Sequence, residues 1–104
     1  MAYRVVLFED NHRLRELLLH LLSSYEEFDV VGSFDNCVDC DQAAVSLRPD
    51  IVVMDIDMPG LSGIEGVRMI KTVRPETLIV MHTVFEDDEK LFTCLSAGAS
   101  GYLL

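Results

Sequence analysis

The 104-residue chain is short of basic side chains. Lys and Arg number 8 against 18 Asp and Glu, and the formal net charge is −10. Gripping a phosphate backbone takes clustered Lys and Arg, so this segment is not read as a nucleic-acid-binding surface. An acidic domain attracts basic partners or divalent cations, and the same charge also serves plain solubility. Long apolar runs are missing too, and none approaches the ~20 residues of a membrane span. The first apolar run follows a lone Arg4 and stops at Glu9, which is not the pattern of a cleavable signal peptide. The chain is expected to be cytoplasmic, with no membrane contact. No linker, low-complexity tract or internal repeat divides it, and its length suits one domain over residues 1–104.

Three cysteines make no disulfide framework. Cys37 and Cys40 have the spacing of a redox or metal pair, but no second Cys/His pair stands at zinc spacing. Cys40 also fits an apolar helical stripe, so the pair is read as core or helix-start residues.

Half of the residues are hydrophobic, and their spacing alternates between two periods. "YRVVLFE" (3–9) reads as a strand. "LRELLLHLLSSY" (14–25) places apolar residues at 14, 17, 18, 21, 22 and 25, one face of a helix. "FDVVGSF" (28–34) is a second strand. Asn36, with Asp39 three residues on, reads as the start of a second helix through Ala43, Ala44 and Leu47. "DIVVMD" (50–55) is nearly all apolar, as in a strand covered on both faces. Ile64, Val67 and Ile70 mark a third helix that stops before Pro75. "TLIVMHT" (77–83) is a fourth strand. "EDDEKLFTCLSAG" (86–98) is a helix with acids in its first turn and Gly98 at its end. "GYLL" (101–104) begins a fifth strand. Strands joined by helices of this length imply a parallel sheet with right-handed crossovers.

In such sheets ligands lie beyond the carboxyl ends of the strands, where strand order reverses. Strand one ends in Glu9-Asp10, strand three in Asp55 and strand four in Thr83. If strands one, three and four are neighbours, three carboxylates share one crevice. Their repulsion raises at least one pKa, and a divalent cation relieves it. Oxygen-only ligands suit Mg²⁺. A carboxylate there can attack phosphorus, and Thr83 can hydrogen-bond a phosphoryl oxygen.

The stretches "FEDN" (8–11), "VVMDIDMPGLSG" (52–63), "HTVFEDDE" (82–89) and "AGASGYLL" (97–104) together resemble the receiver domain of two-component response regulators, over essentially the whole chain. "MDIDMPG" with "GASGYLL" is most similar to receivers of the NarL/LuxR type, which usually precede a helix-turn-helix DNA-binding domain. The resemblance implies a flavodoxin-like, doubly wound five-stranded sheet of order 2-1-3-4-5. It implies that Asp55 is phosphorylated by a sensor histidine kinase. By the same match Glu9, Asp10 and Asp55 bind Mg²⁺, helped by the backbone carbonyl of Asp57. Thr83 is the switch hydroxyl and Tyr102 the switch aromatic. Asp57 and Phe85, each two residues beyond a site residue, flank the phosphoryl group, and Phe85 is expected to shield it from water.

The chain departs from the family pattern in two places. The family's lysine at the end of strand five would fall just after Leu104, and the fifth helix is absent, so the chain is read as C-terminally incomplete. That is expected to uncover Val5, Leu7 and one side of strand five, and a homodimer is one way to cover them. DNA would be reached only through an output domain outside this chain. The other departure is His82, where an apolar strand residue is usual. It is read as a core or edge histidine rather than a ligand, and His12 as a surface or loop-packing residue. Two other functions stay open. "DIDMPG" is also similar to the Asp-x-Asp motif of haloacid-dehalogenase-type phosphatases, though there it usually ends the first strand. A pseudo-receiver that binds protein without phosphorylation is the other.

Overall fold

In the computed structural model the described residues are 2–82, 93 and 97–103, with the backbone alone for Tyr102 and Leu103. The elements follow one another as β1 (Tyr3–Phe8), α1 (His12–Ser23), β2 (Phe28–Phe34), α2 (Cys40–Leu47), β3 (Ile51–Asp55), α3 (Gly63–Val73), β4 (Leu78–His82) and β5 (Gly101–Leu103). The strands form one sheet of order β2-β1-β3-β4-β5, and every pair is parallel. This is the doubly wound order expected from the sequence. Of the helix expected over 86–98, only Thr93, Ala97 and Gly98 fall among the described residues, and the first two are helical. Gly98 follows with a φ of 117°, a left-handed helix end that glycine adopts without strain.

β1 sits between β2 and β3, so the chain reverses direction across the sheet at the β1–β3 boundary. The main core lies on one face. Val6 and Phe8 of β1, Val52 and Met54 of β3, and Ile79 and Met81 of β4 pack there with Ala44 of α2 and Val67 and Ile70 of α3. Each of these side chains other than that of Ala44 stabilises the fold by about 1.5–3 kcal/mol. Ile51 and Val53, on the opposite face of β3, are only half-buried. β3 is therefore fully covered on one face rather than on both.

Three local expectations are corrected. α1 begins two residues earlier than its apolar stripe, because Asn11 caps it: its side-chain oxygen accepts from the Leu14 N–H at 3.1 Å. α2 begins at Cys40, not at Asn36. The Asn36 side chain closes a tight turn of its own, accepting from the Val38 N–H at 3.0 Å, and this competes with helix. Val5 and Leu7 are not uncovered; each is 1% exposed. Exposed apolar side chains lie one layer further out, Leu17 and Leu21 one turn apart on α1 and Tyr25 just past its end. The stripe read for α1 is thus split, with Leu14, Leu18 and Leu22 half-buried and the other row facing outward.

Candidate functional site

β1 delivers Glu9 to the carboxyl end of the sheet, one residue past Phe8. Glu9 is 3% exposed, and its surroundings hold it in place. Its N–H donates to the Phe34 carbonyl at 2.9 Å. Its Oε2 accepts from the Asn11 N–H at 3.1 Å, and its carbonyl accepts from the Arg15 guanidinium at 2.9 Å. The last contact belongs to the first turn of α1, so the helix that follows β1 braces the acid that ends it.

Asp55 is the last residue of β3, half-buried, across the switch point from Glu9. Burial pushes its pKa up to about 8, helped by the charge of Glu9, by hydrogen bonds shared with Glu9 and Asp10, and by the charge of Asp10. The three carboxyl groups therefore meet. Asp10 itself is exposed, on the rim. Beyond Asp55 the chain keeps alternating: Ile56 and Met58 are buried, and Asp57 between them is exposed. α3 then returns against the end of β3, capped by Ser62, whose hydroxyl accepts from the Glu65 N–H. Ser62 and Glu65 have the spacing of a capping box.

His82, read as a core or edge histidine for want of an apparent partner, is largely buried and lies beside the acids. It ends β4 in direct register with Asp55. Its Nδ1 lies 3.7 Å from Glu9 Oε1, and its side chain is 17% exposed. One ligand atom from each of Glu9, Asp55 and His82 lies within 4.8 Å of the other two. The signal that points to His82 is its level in the sheet: the last residue of the strand beside the one that Asp55 ends. His12 is exposed and hydrogen-bonds Arg15 at 3.1 Å, outside this cluster. Thr83 and Phe85 lie outside the described residues, and Tyr102 is placed only as the middle residue of β5, in register with Met81.

Cys37 and Cys40 are both fully buried. The Cys37 thiol donates to the Leu61 carbonyl at 3.1 Å and the Cys40 thiol to that of Gly66 at 3.6 Å. They pack under the start of α3, in the core.

A doubly wound parallel sheet with an acid cluster at its switch point defines a class of domain built to hold a cation or phosphoryl group there. The response regulator receiver domain family matches residues 5–104, and the chain belongs to that family. The transcriptional regulatory protein LnrK of Bacillus subtilis is 39% identical over 101 residues, which are 97% of this chain and 46% of that protein. The response regulator GacA of Pseudomonas aeruginosa is 35% identical over 100 residues, 96% of this chain and 47% of that protein. The chain thus spans about half the length of the curated relatives it matches. The crystal structure of a LuxR-family two-component response regulator from Aurantimonas superposes with a TM-score of 0.92 at 29% identity, covering 98% of this chain and 73% of that one. The receiver domain of the putative response regulator NarL from Mycobacterium tuberculosis gives 0.93 at 25% identity, covering 99% and 83%. Receiver domains work as phosphorylation-dependent switches. Among the described residues, no helix is long and apolar enough to cross a membrane.

Proposed function

We propose that Asp55 accepts a phosphoryl group from a sensor histidine kinase, and that Glu9, Asp10 and Asp55 hold Mg²⁺ beside it, with the backbone carbonyl of Asp57. The observation that supports this reading is the meeting of strand ends: Asp55 closes β3 within electrostatic reach of Glu9 and Asp10. A carboxyl group with a pKa near 8 is mostly neutral at pH 7, and a neutral carboxyl is a poor nucleophile. Glu9, Asp10 and Asp55 would hold Mg²⁺, which would offset their mutual repulsion, favour ionised Asp55 and screen the charge of phosphoryl oxygens. An Asp55 oxygen then bonds to phosphorus as the P–N bond to the kinase imidazole breaks. The electron pair of that bond stays on the leaving nitrogen, which takes up a proton. Thr83 and Tyr102 carry the readout as switch hydroxyl and switch aromatic.

The protein as a whole is read as a cytoplasmic transcription regulator with a DNA-binding output domain, a reading supported by the relatives' names. A homodimer is supported by the exposed row of Leu17, Leu21 and Tyr25, since apolar patches attract partners. Sedimentation of the chain that stays monomeric up to high concentration would remove it.

The chemistry is tested by incubating the chain with a small phosphodonor and Mg²⁺. An acyl phosphate labile to base and hydroxylamine is expected, absent from Asp55→Asn and suppressed by EDTA. Undiminished labelling of Asp55→Asn, or steady turnover of small phosphate esters, would overturn this assignment in favour of another nucleophile or a phosphatase. No labelling under any condition would favour the pseudo-receiver.

A further inference from the structure

The acid crevice contains a group that an all-oxygen Mg²⁺ site has no use for. His82 Nδ1 is buried and makes no hydrogen bond among the described residues. Its separation of 3.7 Å from Glu9 Oε1 is too long for one. A buried polar atom left in this state costs about 1–3 kcal/mol. The geometry suits a shared ion. Two ligand atoms on one Zn²⁺ can be at most about 4.2 Å apart, twice a bond of about 2.1 Å, and the His82–Glu9 separation falls inside that limit. The third ligand, Asp55, is the register partner of His82 on the adjacent strand. The three candidate ligand atoms lie within 4.8 Å of one another, so side-chain shifts of about 1 Å would bring them to the spacing of about 3.4 Å that a tetrahedral centre needs.

Ligand chemistry decides which ion this set prefers. Mg²⁺ takes oxygen and keeps its waters. Imidazole nitrogen moves a site towards the first-row transition metals and Zn²⁺. We propose that His82 Nδ1 is a direct metal ligand alongside the Glu9 and Asp55 carboxylates, so that this receiver takes a divalent transition ion of the Co²⁺ or Zn²⁺ class ahead of Mg²⁺. The inference rests on the reading above that the crevice binds a divalent cation. It differs in naming a nitrogen ligand and the class of ion that follows from it. A protonated imidazole paired with Glu9 is the competing role for the same atom, and it has the opposite consequence: His82 would then exclude cations rather than bind them.

The metal-free chain is titrated separately with Mg²⁺ and with Co²⁺, as wild type, His82→Leu and Asp55→Asn. Co²⁺ reports its ligands through visible absorption, and Zn²⁺ is used in parallel to follow the His82 ring nitrogens by NMR. The Asp55-dependent Co²⁺ site is expected to weaken at least about tenfold in His82→Leu, the order lost when even a supporting residue of a metal ligand is removed. Mg²⁺ affinity is expected to stay within about threefold, because its oxygen ligands remain. In the wild type, Zn²⁺ is expected to shift His82 Nδ1, a readout that holds even if His82→Leu folds poorly. Equal weakening of both ions, unchanged Co²⁺ affinity, stronger binding in His82→Leu, or an unmoved His82 nitrogen would each overturn the nitrogen-ligand assignment while leaving the Mg²⁺ reading intact. Mg²⁺ binding that is absent, or indifferent to Asp55→Asn, would instead remove the cation reading itself, and this inference with it.

Discussion

Gly63 and Asp55 meet backbone to backbone. A Cβ on Gly63 would lie 2.0 Å from the Asp55 carbonyl oxygen, and the Gly63 N–H donates to the Ile56 carbonyl at 2.8 Å. The first residue of α3 is thus pressed onto the end of β3, and the strand end that carries Asp55 is held from behind. Gly63→Ala forces the two apart. It is expected to destabilise the fold by about 1–3 kcal/mol, the usual cost of overpacking. It should also slow Asp55 phosphorylation, because displacement of about 1 Å is costly for a reacting group. Denaturant midpoints and labelling rates check both. An unchanged midpoint would show that the loop after Asp55 gives way freely.

The charge on Asp55 opposes folding, and the pH window follows from its pKa. In the folded chain Asp55 keeps its proton up to about pH 8; an unfolded aspartate loses it near 3.9. Between those values the folded state binds more protons, so stability falls as pH rises. Below about pH 4 both states hold the proton and the penalty vanishes. Asp55→Asn removes the charge. Its melting temperature is expected to match wild type near pH 4 and to exceed it at pH 8. The gain there should be about 1–3 kcal/mol, after discounting the full shift for solvent screening of a half-buried carboxyl. Adding a divalent cation should narrow the gap. A difference that does not vary with pH would place the destabilisation elsewhere than in this charge.

The sheet was legible because each strand is a short apolar run set off by polar or turn residues, and β3 announces its own end by running into Asp55. The helix starts were less so. Polar first turns such as His12-Arg13 carry no apolar period, and the Asn36 side chain can close a turn as readily as begin a helix. The carboxylates of the site could be read from strand ends alone. His82 could not be assigned that way, because its neighbours Glu9 and Asp55 come from other strands, and only the register of β4 on β3 brings them together. The outward row on α1 was likewise invisible: apolar spacing marks a stripe, but not which half of a wide stripe is covered.

The C-x-x-C spacing makes a prediction about reactivity. A working thiol pair must be reached by its reagent. Cys37 and Cys40 are fully buried, their thiols turned to carbonyls of the α3 entry. Hydrogen bonding from Cys40 draws the Cys37 pKa down, while the same contact together with burial drives that of Cys40 far up. Both thiols therefore sit where solvent does not reach. Peptide mass spectrometry after iodoacetamide treatment should find both residues protected in the native chain, with modification at least about a hundredfold slower than in denaturant. Rapid native alkylation of either would show that the α2–α3 contact opens and would restore the thiol pair as a functional candidate.

Thr77 offers a way to lower stability without touching the crevice. It is fully buried just before β4, at the opposite end of the sheet from Asp55. Its hydroxyl donates to the Pro49 carbonyl at 3.0 Å and accepts from Arg74 Nε at 3.2 Å. It therefore ties together the entry to β3, the end of α3 and the start of β4. Thr77→Val keeps the volume and removes both bonds. The Pro49 carbonyl still accepts from the Arg74 guanidinium at 3.3 Å, so it is not left without a partner. The expected cost is about 1–2 kcal/mol rather than the larger penalty of an orphaned buried group. Arg74→Met removes the remaining donor, and combining the two should cost more than their sum by about 0.5–1 kcal/mol, the sign of a shared acceptor. Asp55 labelling under folding conditions should stay within about twofold of wild type in Thr77→Val, since the group lies beyond the distance at which local changes usually couple. A larger loss of labelling would mean that the strand ends respond to the far edge of the sheet, and that Asp55 is positioned by the whole of β3 and β4 rather than by the contacts of Glu9 and Gly63.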